Sequence, residues 1–178
     1  MSRNRPTEPT PGSPADLQPE ADPEQVARTV LLRRLTAAPR TRKDLRDDLL
    51  RRNIPEDVVD RVLDRFTEVG LVNDEEYARM WVESRQRSRG MARRVLRQEL
   101  RARGVSDEDA QDALDSIDPD AERARARQLA QAKVRTMSRL EPEARVRRLA
   151  GLLQRRGYSS DVAYSVVREV VGEWDDAM

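Results

Sequence analysis

The chain of 178 residues contains no cysteine and no histidine. Without thiols it has no disulfide framework and no thiol nucleophile, and zinc sites built from Cys and His are excluded as well. Acidic pairs such as Asp47 and Asp48 are adjacent, so they point to different faces of a helix. The seven glycines are scattered and form no phosphate-binding loop. The sequence therefore predicts a protein that is not an enzyme and that needs no cofactor and no metal.

Long apolar runs and aromatic side chains are also scarce. No run approaches the ~18 residues of a membrane span, and the N-terminus lacks a signal-peptide core. We therefore expect a cytoplasmic protein without membrane contact. The aromatic residues are one Phe, two Trp and three Tyr. Binding of single strands by base stacking is thus weakly supported.

The chain is rich in charged residues. It carries 34 basic and 33 acidic residues, for a net charge of +1. Only Lys43 and Lys133 are lysines, and the other 32 basic residues are arginine. The net charge indicates nothing about partners, so the distribution of charge must do so. Arginine suits bidentate contacts with phosphate better than lysine does.

The N-terminal segment differs in composition from the remainder. Residues 1–23 hold six of the ten prolines and a single large apolar residue, Leu17. Such a segment buries too little apolar surface to offset its ordering entropy. It is predicted to be a disordered tail.

From residue 24 onward the apolar residues recur at helical spacing, and helix-ending signals separate the segments. Thr41 and Ser106 each precede an aspartate by three residues, which is the pattern of a helix N-cap. Asn53, Gly104 and Gly157 are placed to end helices. No sustained alternation of apolar and polar residues indicates a strand. We predict an all-α fold.

The helical pattern repeats along the chain. Leu45, Leu96 and Leu149 are equivalent, at offsets of 51 and 53 residues, and the other helix signals return in the same order. Because each unit buries little apolar surface alone, the units should stack into an elongated, curved body. We predict three tandem three-helix repeats, at residues 24–71, 72–119 and 120–174.

The joint between the first two repeats is the most regular stretch. Gly70 is predicted to end one helix and Asn73 to cap the next, with Leu71 and Val72 turning into the core. Asp74, Glu75 and Glu76 place negative charge at the positive end of the helix dipole. Capping explains these acids better than a metal site does. Tyr77, Ala78, Met80 and Trp81 then begin an apolar stripe.

Residues at and after this joint carry a family resemblance: Gly70, Leu71, Asp74, Tyr77, Ala78, Arg85, Gly90, Leu96, Glu99, Leu100, Gly104 and Val105. In this order and spacing they resemble the signature of the bacterial RecX family, whose members regulate the recombinase RecA. The match runs from about Leu31 to Val171. Two features depart from the family pattern: the first helix of the third repeat lacks bulky residues, and the Pro-rich tail has no counterpart.

The resemblance implies tandem three-helix modules that lie along a filament of RecA on DNA. By that resemblance, the partners would be the RecA filament and both single- and double-stranded DNA. The chain would then restrain the ATPase, strand-exchange and co-protease activities of RecA, in recombination, DNA repair and the SOS response.

Basic residues cluster in the second and third repeats. Arg93, Arg97 and Arg101, spaced four residues apart, form one stripe of a helix with few acids nearby in sequence. Other clusters hold Arg123, Arg125, Arg127, Lys133, Arg135 and Arg139, and then Arg145, Arg147, Arg148, Arg155 and Arg156. Unbalanced basic stripes attract phosphate backbones without reading sequence. The predicted contacts to DNA or filament are Arg89, Arg93, Arg94, Arg97, Arg101, Arg103, Arg123, Arg127, Arg145 and Arg148.

Two other classes of function stay open. Helix pairs with short turns, such as 41–52 and 55–69, could belong to a helix-turn-helix transcription regulator. Asp57, Asp60 and Asp64 oppose this, because they lie where base-reading residues would be. A helical scaffold for protein contacts is the third alternative. We expect a monomer in each case.

Overall fold

The computed structural model describes residues 22–177, and these residues form nine α-helices and no strand. The predicted all-α fold of three three-helix repeats is confirmed. The predicted disordered tail falls almost entirely outside the described residues. The helices are α1 (Pro23–Ala37), α2 (Arg42–Leu50), α3 (Glu56–Glu68), α4 (Asp74–Arg89), α5 (Arg93–Ala102), α6 (Asp107–Asp115), α7 (Pro119–Val134), α8 (Pro142–Arg155) and α9 (Ser160–Asp176).

Side-chain caps set the starts of most helices, as the sequence predicts. The side-chain oxygens of Thr41, Asn73 and Ser106 accept hydrogen bonds from the backbone N–H three residues later, at 3.1, 2.9 and 3.0 Å. Ser159 caps α9 in the same way. These bonds satisfy N–H groups that have no partner within the helix. The caps therefore fix where each repeat begins its helices.

Each repeat has its own apolar core. Leu31, Leu45, Leu49 and Leu63 are fully buried in the first repeat, and Leu96, Leu100 and Leu114 in the second. Leu149, Leu153 and Val167 hold the equivalent places in the third. One residue crosses between repeats: Ala92, at the start of α5, packs in the core of the third repeat. Three small cores, each closed by its own helices, replace a single large one.

Two local predictions are wrong. Leu71 is 49% exposed and Met80 is 39% exposed, whereas Val72, Tyr77 and Ala78 enter the core. Pro55 is the N-cap of α3. Helix α7 ends at Val134, and a 3₁₀ turn (Arg135–Met137) follows it.

The first junction joins the start of α2 to the end of α5. The buried hydroxyl of Thr41 donates to the carbonyl oxygen of Arg103 at 2.8 Å. The backbone N–H of Arg42 donates to the Asp74 carboxylate, also at 2.8 Å. The Arg103 guanidinium then pairs with Asp44 at 3.3 Å. A helix start in the first repeat is thus satisfied by groups of the second.

The second junction uses the equivalent residues one repeat further along, with a backbone N–H as donor in place of the Thr41 hydroxyl. The N–H of Ala92 donates to the carbonyl oxygen of Arg156 at 2.8 Å, and the N–H of Arg93 donates to Glu122 at 2.8 Å. Ala92 and Arg156 follow Thr41 and Arg103 by 51 and 53 residues, which are the repeat offsets. Because each repeat receives the next through the same surface, the three repeats form a head-to-tail row.

Glycine makes the close approach at both junctions possible. Gly104 and Gly157 end α5 and α8 with φ of +79° and +95°. A Cβ on Gly104 would lie 2.6 Å from the Cβ of Lys43 in the preceding repeat. One on Gly157 would lie 2.6 Å from the Cγ2 and 3.1 Å from the backbone nitrogen of Val95. A side chain at either position would force the two repeats apart.

We therefore expect Gly157→Ala to lower the thermal unfolding midpoint more than Gly70→Ala does. Both alanines would adopt positive φ, at a cost of about 1–2 kcal/mol. Gly70, with φ +75°, has no atom within 4 Å of an added Cβ, so it is a matched control without the clash. The overlap with Val95 should add about 1–3 kcal/mol. Circular dichroism on heating measures both, and equal midpoints would contradict the junction geometry.

Candidate nucleic-acid interface

The predicted basic stripe of α5 is largely neutralised by the next helix. Arg93 pairs with Asp115 at 2.7 Å, Arg97 donates to the amide oxygen of Gln111, and Arg101 holds both oxygens of Asp107. These hydrogen bonds from Arg101 hold the pKa of Asp107 below its usual value. The premise that the stripe lacks local acids is therefore wrong, because two acids of α6, eight residues apart, pair with it.

The same seam exists in the first repeat. Arg42 of α2 pairs with Asp64 of α3 at 2.7 Å, and Arg46 pairs with Asp60 and Glu56. In the third repeat the equivalent residues of α8 are Val146, Ala150 and Gln154, so these three positions carry no charge. The acids of α3 and α6 thus serve as counter-charges for the helix that precedes them.

Three predicted contacts of the third repeat also have partners. Arg123 and Arg127 of α7 pair with Glu169 of α9, and Arg127 also pairs with Glu173. Arg145 is only 8% exposed and donates to Asp175 and to the carbonyl oxygen of Leu140. The structure places Arg145 in the interior of the repeat, away from any surface that DNA could reach.

Arg103 links a stacked cluster to the first junction. Its guanidinium lies 4.0 Å from the ring centre of Trp81, and that of Arg85 lies 4.1 Å from the same ring. The indole N–H of Trp81 donates to Glu99 at 2.8 Å, and Tyr77 stacks on Trp81. Cation–π contacts on both faces of one indole fix the position of Arg103. Its role in the structure is to hold two repeats together.

The signature residues have structural roles in this arrangement. Tyr77, Ala78, Leu96 and Leu100 are buried, Gly104 lies at the first junction, and Glu99 binds Trp81. Asp74 accepts the N–H of Arg42 across that junction. Burial raises the pKa of the Asp74 carboxyl, while that hydrogen bond acts in the opposite direction. The pattern that defines the family thus builds the second repeat and its contact with the first.

Few of the predicted arginines keep a free guanidinium. Arg89 and Arg148 are exposed, and Arg94 reaches only a carbonyl oxygen, of Gly157, at 3.5 Å. None of the three has a carboxylate within salt-bridge distance in the described part of the chain. Exposed cations without a counter-charge are the ones that a phosphate can approach at least cost.

One surface concentrates such cations. Helix α8 and the end of α7 form an open concavity with exposed Lys133, Arg147, Arg148 and Arg155 along its lining. The other lining residues are Thr136, Met137, Gly151 and Leu152, so the lining contains no acid. Of the four cations, only Arg148 is among the ten predicted contacts. The sequence signal for Arg147 and Arg155 is that α8 lacks acids between Glu143 and its end.

Other kinds of site are less well supported. Residues 22–177 contain no group of three or more acids placed to hold a metal ion. Within the same residues, no helix is long and apolar enough to cross a bilayer. One other concave surface mixes acids with arginines. Another is lined by three arginines, but two of them, Arg34 and Arg52, already pair with Asp48. The basic concavity is therefore the strongest candidate for a polyanion.

Comparison with known proteins relates the chain to one family. Three family models match it: RecX, first three-helix domain, at residues 27–66; RecX, second three-helix domain, at 73–114; and RecX, third three-helix domain, at 120–167. Together they cover all three repeats. The matched segments each lie within one of the repeats that the sequence predicts.

Individual relatives agree with these models. Regulatory protein RecX of Thermobifida fusca is 51% identical over 143 residues, which cover 80% of this chain and 77% of the relative. Regulatory protein RecX of Mycobacterium ulcerans is 49% identical over 158 residues, covering 88% and 91%.

Two solved structures share the fold. The crystal structure of RecX from Lactobacillus salivarius superposes with a TM-score of 0.76 at 23% identity and covers 84% of this chain and 97% of its own. A second crystal structure, of regulatory protein RecX, gives a TM-score of 0.74 at 26% identity, covering 84% and 73%. With its three repeats, its signature residues and relatives near half identity, the chain belongs to the RecX family.

Proposed function

We propose that this chain is a regulator that binds the filament of RecA on DNA and inhibits its ATPase, strand-exchange and co-protease activities. Family membership and the name of its relatives, regulatory protein RecX, support a regulatory role. The observation that carries the proposal is the repeated junction, which joins three similar modules in a row through equivalent contacts.

A row built in this way suits a partner that is itself repetitive. Two junctions at equivalent positions join successive repeats through corresponding surfaces, as in solenoid proteins. A protein filament presents the same surface on every subunit, again at fixed rotations and translations. Three modules held in such a row can contact several subunits at once, and linked contacts raise avidity without any one strong site.

DNA contact is proposed to be electrostatic and independent of sequence. Of the predicted residues, Arg89, Arg94, Arg97 and Arg148 have no carboxylate partner among the described residues, although Arg97 donates to Gln111. Arg93, Arg101, Arg123 and Arg127 would first have to leave theirs, so their contribution should be smaller. The chain is proposed to act without turnover, because no nucleophile–base pair can be assigned to it. It is also proposed to be a cytoplasmic monomer.

The alternative of a transcription regulator has less support. In the α2–α3 pair, Asp60 and Asp64 are paired with Arg46 and Arg42 across the seam. A recognition helix with this many acids on its surface would be repelled by the phosphates and by the acceptor atoms on the base edges of duplex DNA.

We expect inhibition of DNA-dependent ATP hydrolysis by RecA at fewer than one chain per RecA subunit, because each chain should engage several subunits. Gly157→Ala, which displaces the third repeat, should inhibit less than the wild type. Gly70→Ala should inhibit like the wild type, because it carries the same backbone strain away from the junctions. The measurement is steady-state phosphate release below the unfolding midpoint of each variant.

Unchanged ATPase and strand exchange at equimolar chain would refute the proposed function. Equal inhibition by Gly157→Ala and the wild type would refute the requirement for the row.

A mobility-shift titration separates the regulator from its rival. The free chain should bind a labelled duplex and a scrambled duplex of the same length with equal affinity, because phosphate contacts carry no sequence information. A transcription regulator should prefer its own site by roughly 10³-fold or more. A strong preference for one genomic sequence, with no effect on RecA, would favour the rival.

A further inference from the structure

The second helix of each repeat has one face that receives the following repeat. In the first repeat Lys43 and Asp44 form this face: Lys43 packs against Gly104, and Asp44 pairs with Arg103. In the second repeat Arg94 and Val95 form it, and both contact Gly157. We call this face the junction face.

The third repeat has the same face with nothing against it in the described residues. Its equivalents of Lys43 and Asp44, at the repeat offsets, are Arg147 and Arg148. Both are exposed and line the basic concavity. The concavity therefore contains the junction face of the last repeat, left open where the earlier repeats are covered, and we call the whole concavity the open face.

Helix α8 is also built so that it cannot receive a fourth repeat in the same way. It has 14 residues, whereas α2 and α5 have 9 and 10, and the added turn lies at its start. The N–H of Arg145, equivalent to that of Ala92, donates to Glu141 within this turn at 3.0 Å. The donor that binds the next repeat at the second junction is thus already used.

The junction face of the third repeat lacks the acids that the first repeat has there. In the first repeat, Asp44, Asp47, Asp48 and Arg51 of the second helix line the surface, together with arginines of other segments. At the equivalent positions the third repeat has Arg148, Gly151, Leu152 and Arg155. Three acids are replaced by one base and two uncharged residues, while the arginine is retained. The open face has therefore lost its acids and gained a cation, in addition to Lys133 and Arg147.

The cations of this face are available for a ligand. The salt bridges of the third repeat use Arg123, Arg127 and Arg145, which lie on other surfaces. Half-buried Met137 and Leu152 lie among the four cations. Several guanidinium groups beside apolar side chains suit a chain of phosphates joined by sugars, since arginine binds phosphate through two parallel hydrogen bonds.

We propose that the open junction face of the third repeat is the site at which this chain binds the phosphodiester backbone of DNA. This inference rests on the proposed function, because the strand in question is the one that the filament carries. By this inference the covered junction faces hold the three repeats in a row, and the open junction face binds the nucleic acid.

The test measures binding of a fluorescent single-stranded oligonucleotide of mixed sequence to the full chain, without RecA, over a range of salt concentrations. Arg148→Gln with Arg155→Gln removes two cations from the open face. Arg123→Gln with Arg127→Gln is the matched control, because it removes the same charge from the same repeat where both arginines are paired. Thermal midpoints confirm that the variants are folded.

The Arg148/Arg155 double variant should bind about tenfold more weakly, and its salt slope should be shallower by ~0.7 for each lost phosphate contact on a single strand. The control should keep nearly the wild-type affinity and slope. Lysine at positions 148 and 155 should restore most of the affinity, since the charge is kept.

Three results would overturn the inference. Equal losses in both double variants would show that net charge alone matters, and a loss confined to the control would place the site on α7 and α9. Wild-type chain that inhibits RecA but does not bind the oligonucleotide at low salt would assign the open face to an acidic protein surface. If the wild-type chain does not inhibit RecA but the oligonucleotide binding follows the expected pattern, the inference stands and the proposed function fails. Failure of the inference and failure of the proposed function are therefore distinguishable.

Discussion

One kind of hydrogen bond determines the arrangement of the whole chain. It joins the start of the second helix in one repeat to the last turn of the second helix in the next repeat. The carbonyl oxygens of Arg103 and Arg156 accept from Thr41 and from Ala92 at 2.8 Å in both places. Helix starts carry N–H groups without intrahelical partners, and helix ends carry free carbonyls. At the second junction the N–H of Ala92 and the free carbonyl satisfy each other, and at the first the Thr41 hydroxyl is the donor to the carbonyl. Glycine at the end of α5 and α8 lets the backbones come close enough.

Arginine serves two different purposes in this protein. Many arginines pair with acids, several of them on a neighbouring helix, and such exposed pairs contribute little stability each, about 0–1 kcal/mol. Their effect is to neutralise the seams of the first and second repeats. Other cations have no acidic partner among the described residues, and four of these line one concave surface, around Arg148 and Arg155. An almost neutral chain can in this way carry a basic site, which the net charge of +1 conceals.

Much of the fold could be predicted from the sequence, because helix caps and leucine spacing are local signals. Thr41, Asn73 and Ser106 cap their helices as predicted, and the equivalent leucines are buried. The site was harder to predict, because pairing across helices depends on the packing angle of α5 on α6. Arg101 and Asp107 lie close in sequence but on different helices. Nothing local shows that Arg145 turns inward, or that the face bearing Arg147 is open while that of Arg94 is covered.

The central claim is that a head-to-tail row of three repeats engages several RecA subunits at once. Co-sedimentation of the chain with preformed RecA filaments on single-stranded DNA tests it most directly, since the ratio of the two proteins in the pellet gives the stoichiometry. The account predicts that the chain saturates the filament at well below one copy per RecA subunit. Saturation at one copy for every subunit would contradict it, because each chain would then bind a single subunit and the row would serve no purpose.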